Sequence, residues 1–126
     1  MILAIRTDNS LAELYILDGA GQIMDRHEFQ ADRQLAALLG KEIEEFLSPQ
    51  GGFGALSAVA YFSGSGSFTG LRIGASVANA LGYSLGIPVA KTSGDDWLTR
   101  ITTALVDSKL GEYPAPDYDR EANITC

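Results

Sequence analysis

Small residues recur at every fourth position in one part of this sequence, and this spacing constrains the fold more than any other feature. The positions are Gly70, Gly74, Ala78, Gly82 and Gly86. On a predicted helix from about Thr69 to Leu85, residues four apart lie on one face. Each interior glycine costs about 0.8–1.0 kcal/mol relative to alanine. We therefore expect a second helix or the sheet to pack closely against this face.

The same predicted helix has few polar side chains. They form a narrow stripe of Arg72, Ser76, Asn79 and Tyr83, and the other positions are apolar or small. A helix at the surface of a protein normally keeps one broad polar face. We therefore expect this helix to be covered on most of its sides.

A short apolar run and a glycine-rich loop precede the helix. Ala58 to Phe62 is bounded by turn residues and is too short for a useful helix, so it is predicted to be a buried strand. The loop that follows contains Gly64, Ser65, Gly66 and Ser67. Ser67 or Thr69 can cap the helix, because a hydroxyl oxygen accepts a hydrogen bond from the free N–H groups of the first turn.

Such a loop has two interpretations. It can be a tight connection between strand and helix, or it can hold a phosphate on backbone N–H groups, with Arg72 one turn further on to bind the anion. The dinucleotide fingerprint needs a third glycine where Thr69 stands, and the P-loop lysine is missing. The pattern favours a tight connection.

The remaining segments predict a mixed α/β fold. The predicted strands are 1–5, 11–17, 22–29, 58–62 and 87–91, and the predicted helices are 32–47, 69–85 and one that starts at Ser93. The first three strands form an antiparallel meander with the third at an edge, and the later connections are long enough for helical crossovers between parallel strands. The order β-β-β-α-β-α-β-α therefore gives a five-stranded mixed sheet with helices packed on it.

Polar residues mark the starts of the first and third helices. Asp32 is the predicted N-cap of the first helix, and Ser93 with Asp96 forms a capping-box-like pair at the third. Ala36 and Gly40 lie four apart on the first helix and form a second face of small residues.

Length and composition predict one domain and a short tail. The 126 residues contain 46% hydrophobic and 20% charged residues, which is typical of a globular domain. Residues 1–110 are predicted to form the domain, and the polar, proline-containing stretch 111–126 a flexible tail. No segment has the length or pattern of a membrane span or signal peptide, and the lone Cys126 fits a reducing compartment, so we predict a cytoplasmic protein without membrane association.

Charge and residue types offer no convincing catalytic or metal site. The net charge of −7 argues against nucleic-acid binding by this chain alone, because that affinity comes mainly from neutralising phosphates. Asp8, Asp18 and Asp25 have the pattern of turn carboxylates, and a single histidine, His27, gives zinc no ligand set. We predict no catalytic residue, no metal and no cofactor.

Two blocks of sequence resemble a known family. Residues 64–74 read GSGSFTGLRIG, and residues 80–89 read ALGYSLGIPV. With the strand before them, they resemble the TsaB (YeaZ) family, partner subunits in the biosynthesis of tRNA threonylcarbamoyladenosine. The resemblance covers about residues 1 to 107. It implies an ASKHA fold, which is built of two RNase H-like lobes. The element order above corresponds to one such lobe.

The resemblance also implies a non-catalytic role. TsaB proteins lack the metal-binding histidines of their paralogue TsaD, the enzyme that modifies the adenosine beside the anticodon, and they pair with it through two helices of the first lobe. Here these helices correspond to 32–47 and 69–85. The predicted interface residues are Ala36, Gly40, Gly70, Gly74, Ala78 and Gly82. A TsaE-type ATPase in the same complex and self-pairing by the same face are further expected contacts.

The sequence departs from the family in three places, of which Ser65 in place of a common proline is a mild change. Arg6-Thr7-Asp8 stands where the family usually has Asp-Thr-Ser, so a cation replaces a carboxylate. The sequence also stops where the second lobe is expected, which predicts a single-lobe version. The alternative hypothesis is a small nucleotide-binding or phosphotransfer protein that uses the Gly64–Gly66 loop with ATP and magnesium.

Overall fold

A five-stranded mixed sheet forms the centre of the fold in this computed structural model, which describes residues 1–66 and 68–108. The strands are β1 (Ile2–Arg6), β2 (Leu11–Leu17), β3 (Ile23–Gln30), β4 (Ala58–Phe62) and β5 (Val89–Thr92). The helices are α1 (Leu35–Leu47), α2 (Phe68–Leu85) and α3 (Ile101–Asp107), and short 3₁₀ turns cover Asp32–Gln34, Ser48–Gln50 and Phe53–Ala55. The predicted tail and the domain limit at residue 110 lie outside the described residues.

The sheet has the order β3-β2-β1-β4-β5. β1 pairs with β2 and β2 with β3 in antiparallel fashion, while β1 with β4 and β4 with β5 are parallel. α1 and α2 lie in the two crossover connections that parallel pairing requires. The predicted meander, the edge position of the third strand and the mixed sheet are therefore confirmed.

The two faces of the sheet carry separate hydrophobic cores, because successive side chains of a strand point to opposite faces. Leu3 and Ile5 of β1 join the core that packs against α1 and α2. Ile2 and Ala4 join the other core, which contains Trp97 and Ile101. The helical layer formed by α1 and α2 covers one face, and α3 with the turns before it covers part of the other.

The third helix begins later than its sequence predicts. Ser93 does not open a helix; residues 94–100 form successive turns, and α3 starts at Ile101. The hydroxyl of Thr92 donates to the carbonyl of Trp97 (2.8 Å), and Gly94 has a φ of +91°, which an α-helix does not allow. The positive φ of Gly94 is incompatible with the helix start that the capping-box pattern indicated.

The first helix also starts differently. Asp32 lies in a 3₁₀ turn, and α1 has Gln34 at its N-cap position, without a side-chain capping bond. The predicted N-cap at Asp32 is therefore wrong for α1, although the segment is helical from Asp32 onward. The predicted strands Leu11–Leu17 and Ala58–Phe62 and the predicted end of the second helix at Leu85 are confirmed.

Candidate functional site: the groove between two helices

The small-residue face of α2 packs against its own sheet. A Cβ atom built on Gly74 would overlap the hydroxyl of Thr7, the buried residue that follows β1. This hydroxyl donates a hydrogen bond to the carbonyl oxygen of Gly70 at 2.8 Å, one turn earlier on α2. Gly74 is therefore small because the end of β1 and α2 approach each other closely at this point.

The following positions of the stripe lie on the same inner side. Ala78 is fully buried in the core under α1 and α2. Gly82 is also buried, and its carbonyl accepts a hydrogen bond from the N–H of Ile87 at 3.0 Å. At Gly74 the neighbour on this face is the end of β1, and Ala78 lies in the core that α1 and the sheet share.

α2 also has a broad exposed side, contrary to the expectation that it is covered on most sides. The exposed residues are Thr69, Arg72, Ser76, Ala80, Tyr83 and Ser84. Arg72, Ser76 and Tyr83 belong to the stripe that the sequence identified as polar. The exposed side is wider than the sequence predicts, because small residues such as Ala80 occur at both buried and exposed positions.

The small residues of α1 are placed differently. Ala36 and Gly40 are exposed, and a Cβ atom on Gly40 would meet no atom within 4 Å. Gly40 stands in the middle of a helix of 13 residues, where glycine lowers stability. No contact with the described residues accounts for a glycine at this position. Of the predicted interface residues, Ala36 and Gly40 are exposed and Gly70 is half-buried.

A groove of about 410 Å³ runs between α1 and α2. It is lined by Ala36, Thr69, Arg72, Ile73, Ser76 and Val77. Ile73 and Val77 are half-buried and pack on the core below, so they give the groove an apolar floor. Sequence reasoning missed Thr69, Ile73 and Val77 as groove residues, although their spacing from Arg72 and Ser76 places them on this side of α2.

The glycine-rich loop is a close packing contact. Gly64 is buried with a φ of +123°, and a Cβ atom on Gly66 would lie 2.7 Å from Cβ of Asp8. Glycine is needed at Gly64 for the positive φ and at Gly66 for the close approach to Asp8. Ser65 is exposed, and Ser67 lies outside the described residues.

An ion pair lies beside this loop at the end of β1. Arg6 donates from Nε and Nη2 to the two carboxylate oxygens of Asp8 at 2.9 and 3.1 Å. Its guanidinium carbon stands 3.9 Å from the centre of the Phe62 ring. The hydrogen bond to Asp8 raises the pKa of Arg6 above its ordinary value. Asp8 is thus oriented toward a cation of its own chain.

The other titratable residues considered from the sequence have local structural contacts. Asp18 accepts hydrogen bonds from the N–H groups of Ala20 and Gln22, each at 2.9 Å, and so holds the turn between β2 and β3. His27 stacks between two phenylalanine rings, and its Nε2 lies 3.4 Å from Oε2 of Glu42. Within residues 1–66 and 68–108, no three His, Cys, Asp or Glu side chains come together as a metal-binding group.

No helix within the described part of the chain has both the length and the apolar character to cross a membrane.

A family model matches most of the chain. The model is described as "TsaD: tRNA N6-adenosine threonylcarbamoyltransferase" and matches residues 29–109, which include α1, α2 and the groove between them. No curated protein is similar enough in sequence to be matched.

Solved structures give a consistent picture. The chain resembles YeaZ from Pseudomonas aeruginosa with 29% sequence identity and a TM-score of 0.65, over 73% of this chain and 43% of that one. A second structure, "an uncharacterized protein with similarity to peptidase YEAZ from Pseudomonas aeruginosa", matches with the same identity and TM-score and with 42% of its length covered. The chain thus spans less than half of the length of the YeaZ structures it matches.

A more distant neighbour supports the fold alone. RuvC from T. thermophilus, in a structure with a Holliday junction substrate, matches 92% of this chain and 83% of its own with a TM-score of 0.55 and 12% identity. The likeness to the YeaZ structures confirms the TsaB/YeaZ resemblance and the α/β, RNase H-like fold predicted from the sequence.

Proposed function

Because the chain belongs to the TsaD family of tRNA-modification proteins, we propose that it is a non-catalytic partner subunit that docks on a TsaD-type enzyme. The docking surface is the groove between α1 and α2 together with the adjoining flank of α1 around Gly40. A TsaE-type ATPase is a further member of the proposed complex. Self-pairing by the same surface is the proposed state of the chain without its enzyme. The proposed role needs no cofactor bound to this chain.

Gly40 is the observation that supports this proposal most strongly. It is an exposed glycine within α1, and the space around its missing side chain is open. Because glycine destabilises a helix interior, its presence is explained if another helix approaches the backbone at this point. Ala36 lies one turn before Gly40 and lines the groove. The open space at Gly40 therefore continues into a surface that a helix can fill.

The groove has a composition that suits a protein partner. Its floor of Ile73 and Val77 is apolar, while Thr69 and Ser76 are small polar residues at its edge. Interfaces between proteins combine an apolar centre with a polar rim in this way. Three of the small residues predicted from the sequence take no direct part in the proposed docking, because they are buried. These are Gly74, Ala78 and Gly82.

A matched pair of substitutions tests the docking surface. Ser76 lines the groove, and Ser84 is exposed two turns further along α2 and outside it. The Ser76→Arg variant is expected to lose co-purification with a co-expressed TsaD-type enzyme, because the long side chain fills the groove. The Ser84→Arg variant introduces the same side chain and is expected to co-purify like the wild type. Circular dichroism checks that both variants fold.

Co-purification of the Ser76→Arg variant at the wild-type level would contradict the docking surface. Loss of co-purification in both variants would show that the test responds to charge rather than to position. A wild-type chain that fails to co-purify with the enzyme at all would contradict the proposed partnership itself.

The alternative function, nucleotide binding by the glycine-rich loop, has weaker support. Gly66 packs on Asp8, so the need for glycine there is explained without a phosphate. Calorimetry with ATP and magnesium distinguishes the two functions: we expect no saturable heat, and saturable binding would favour the alternative.

A further inference from the structure

β3 is an edge strand with a long exposed side. It stands at one end of the sheet order and spans Ile23–Gln30, and most of its residues are exposed. Two of the exposed side chains, Ile23 and Met24, are large and apolar. The register with β2 is regular from Asp25 to Gln30. Such an edge can pair with the strand of a second chain unless its backbone groups are occupied.

The register shows which backbone groups of β3 point away from β2. The N–H of Ala31 donates to the carbonyl of Ser10 at 2.9 Å, directly after the paired residues, so these two form a hydrogen-bonded pair. In an antiparallel ladder such pairs alternate with pairs that do not bond to each other. By this alternation the N–H and C=O groups of Arg26, Glu28 and Gln30 point outward. We call this side the outer edge of β3.

A side chain already occupies one of these outward groups. The N–H of Arg26 donates to Oδ1 of Asp25, the preceding residue, at 2.8 Å. Oδ2 of the same carboxylate accepts a hydrogen bond from the side-chain amide of Gln50 at 3.3 Å. Gln50 lies in the 3₁₀ turn after α1, so this bond ties the carboxylate to a second element. An incoming strand has to displace the carboxylate to reach the N–H of Arg26.

The charges on the outer edge fit a second copy of the same strand. Arg26 and Glu28 lie on one face of β3 and form an exposed ion pair of 2.7 Å. If two β3 strands pair antiparallel about His27, Arg26 of each copy lies directly opposite Glu28 of the other. Registers centred on Arg26 or on Glu28 instead place like charges opposite each other, which is destabilising. The edge is therefore complementary to itself when centred on His27, and this register uses the N–H of Arg26.

We propose that Asp25 prevents two copies of the chain from pairing through β3. Its carboxylate occupies the N–H of Arg26, which would otherwise donate to the carbonyl of Glu28 in the second copy. When this acceptor is removed, the two sheets join edge to edge in the complementary register. The residues that line the groove belong to α1 and α2. The inference is therefore independent of the proposed function.

Two substitutions of Asp25 test this role, because both remove the charge and only one removes the acceptor. Asparagine keeps a side-chain oxygen that can accept from the N–H of Arg26, and alanine does not. Analytical ultracentrifugation measures the mass of each full chain in a Ser76→Arg background, which blocks pairing through the groove. Asp25→Ala is expected to have twice the mass of the chain. Asp25→Asn and the parent are expected to have the mass of a single chain.

Each other outcome overturns the proposal. A single-chain mass for Asp25→Ala would show that the edge does not pair when the acceptor is gone. Twice the mass for both substitutions would assign the effect to charge rather than to the hydrogen bond. Twice the mass for the parent would show that Asp25 does not prevent pairing. Asp25 is exposed, and substitutions at such positions usually change stability little, which circular dichroism checks.

Exchange of the two charges tests the register. In the Asp25→Ala chain, the further change Arg26→Glu places carboxylates opposite each other and is expected to return the mass to that of a single chain. Arg26→Glu/Glu28→Arg in the same chain restores opposite charges across the pair and is expected to restore twice the mass. Pairing that survives Arg26→Glu, or that the double exchange fails to restore, would overturn the register centred on His27.

Hydrogen exchange tests the bond to Asp25 in the unmodified chain. The N–H groups of Arg26 and Glu28 both lie on the outer edge, and within the part of the chain that the structure describes only that of Arg26 donates to a side chain. After correction for intrinsic rates, the amide of Arg26 is expected to exchange more slowly than that of Glu28 in NMR measurements. Equal rates would show that the carboxylate does not hold this N–H, and would overturn the proposal.

Discussion

The inner face of α2 and the outer flank of α1 are alike in sequence and differ in what lies against them. Both carry small residues four apart. Gly74 lies against the hydroxyl of Thr7, and Ala78 is fully buried, whereas nothing lies within 4 Å of a Cβ atom on Gly40. At Gly74 the first face is small because the end of β1 fills the space. The second face has a small residue at Gly40, where the space beside the backbone is open. A partner can approach the helix at that point.

This difference shows what a small-residue stripe does and does not reveal. The period of four indicates that a backbone must come close, but it does not say whether that backbone belongs to the same chain. A test of docking therefore belongs on the outer flank and in the groove, because a large residue at Gly74 would disturb the fold first.

The largest expected effect comes from enlarging the inner face. Ala78→Leu adds three carbons at a fully buried position and is expected to lower the free energy of unfolding by about 3 kcal/mol, the upper part of the range for overpacked cores. Ala36→Leu makes the same change at an exposed position and is expected to stay within about 0.5 kcal/mol of the wild type. Urea unfolding measures both. Equal effects would remove the distinction between the two faces.

A smaller loss is expected for Gly74→Ala. The new methyl group forces either a shift of α2 or rotation of the Thr7 hydroxyl away from Gly70. We expect a net loss of up to about 2 kcal/mol, because overpacking costs about 1–3 kcal/mol and helix propensity gains about 1 kcal/mol.

Thr7 provides the control for this prediction. Thr7→Ala removes the hydroxyl that the new methyl group would meet, and the next atom, Cβ of Thr7, lies at 3.5 Å, which is ordinary contact. In a double-mutant cycle, Gly74→Ala should therefore be much less harmful in the Thr7→Ala background. Strictly additive effects would contradict the contact between these two residues.

The corresponding change on the outer flank has the opposite sign. Gly40→Ala is expected to stabilise the isolated chain by about 0.8–1.0 kcal/mol, because the added methyl group meets nothing and alanine is the better helix former. The same substitution is expected to weaken binding to the TsaD-type enzyme, which calorimetry measures. A stabilised chain with unchanged affinity would place the partner away from Gly40.

An effect that is confined to alkaline pH concerns the opposite face of the sheet. Burial and a hydrogen bond to Glu13 raise the pKa of Tyr15 from 10.0 to about 12. The folded chain therefore keeps this phenol protonated after the unfolded chain has lost the proton, and stability falls as pH rises from about 10 toward about 12. Tyr15→Phe should remove this part of the alkaline loss, measured by urea unfolding at several pH values, and should leave enzyme binding unchanged.

Much of the fold follows from local sequence patterns. The strand Ala58–Phe62 is a continuous apolar run between turn residues, and the structure has it at the predicted limits. Ser93 and Asp96 also matched a pattern, yet no helix starts there. In the structure the hydroxyl of Thr92 donates to the carbonyl of Trp97, and the Trp97 ring packs against Tyr15 and Phe62. Such a contact cannot be read from spacing.

The candidate site could be predicted in part. The sequence identified the two helices, the small residues on them and the polar stripe with Arg72. It could not show that the end of β1 lies against Gly74, because that depends on how closely Thr7 approaches α2.

Protection of a thiol in the groove tests the central claim most directly. In a Cys126→Ser background, single cysteines at Ser76 and Ser84 are labelled with a maleimide in the absence and presence of saturating TsaD-type enzyme. The enzyme should slow labelling at position 76, inside the groove, and leave position 84 as reactive as in the free chain. Unchanged labelling at position 76, with binding of the enzyme demonstrated in the same sample, would contradict docking in the groove.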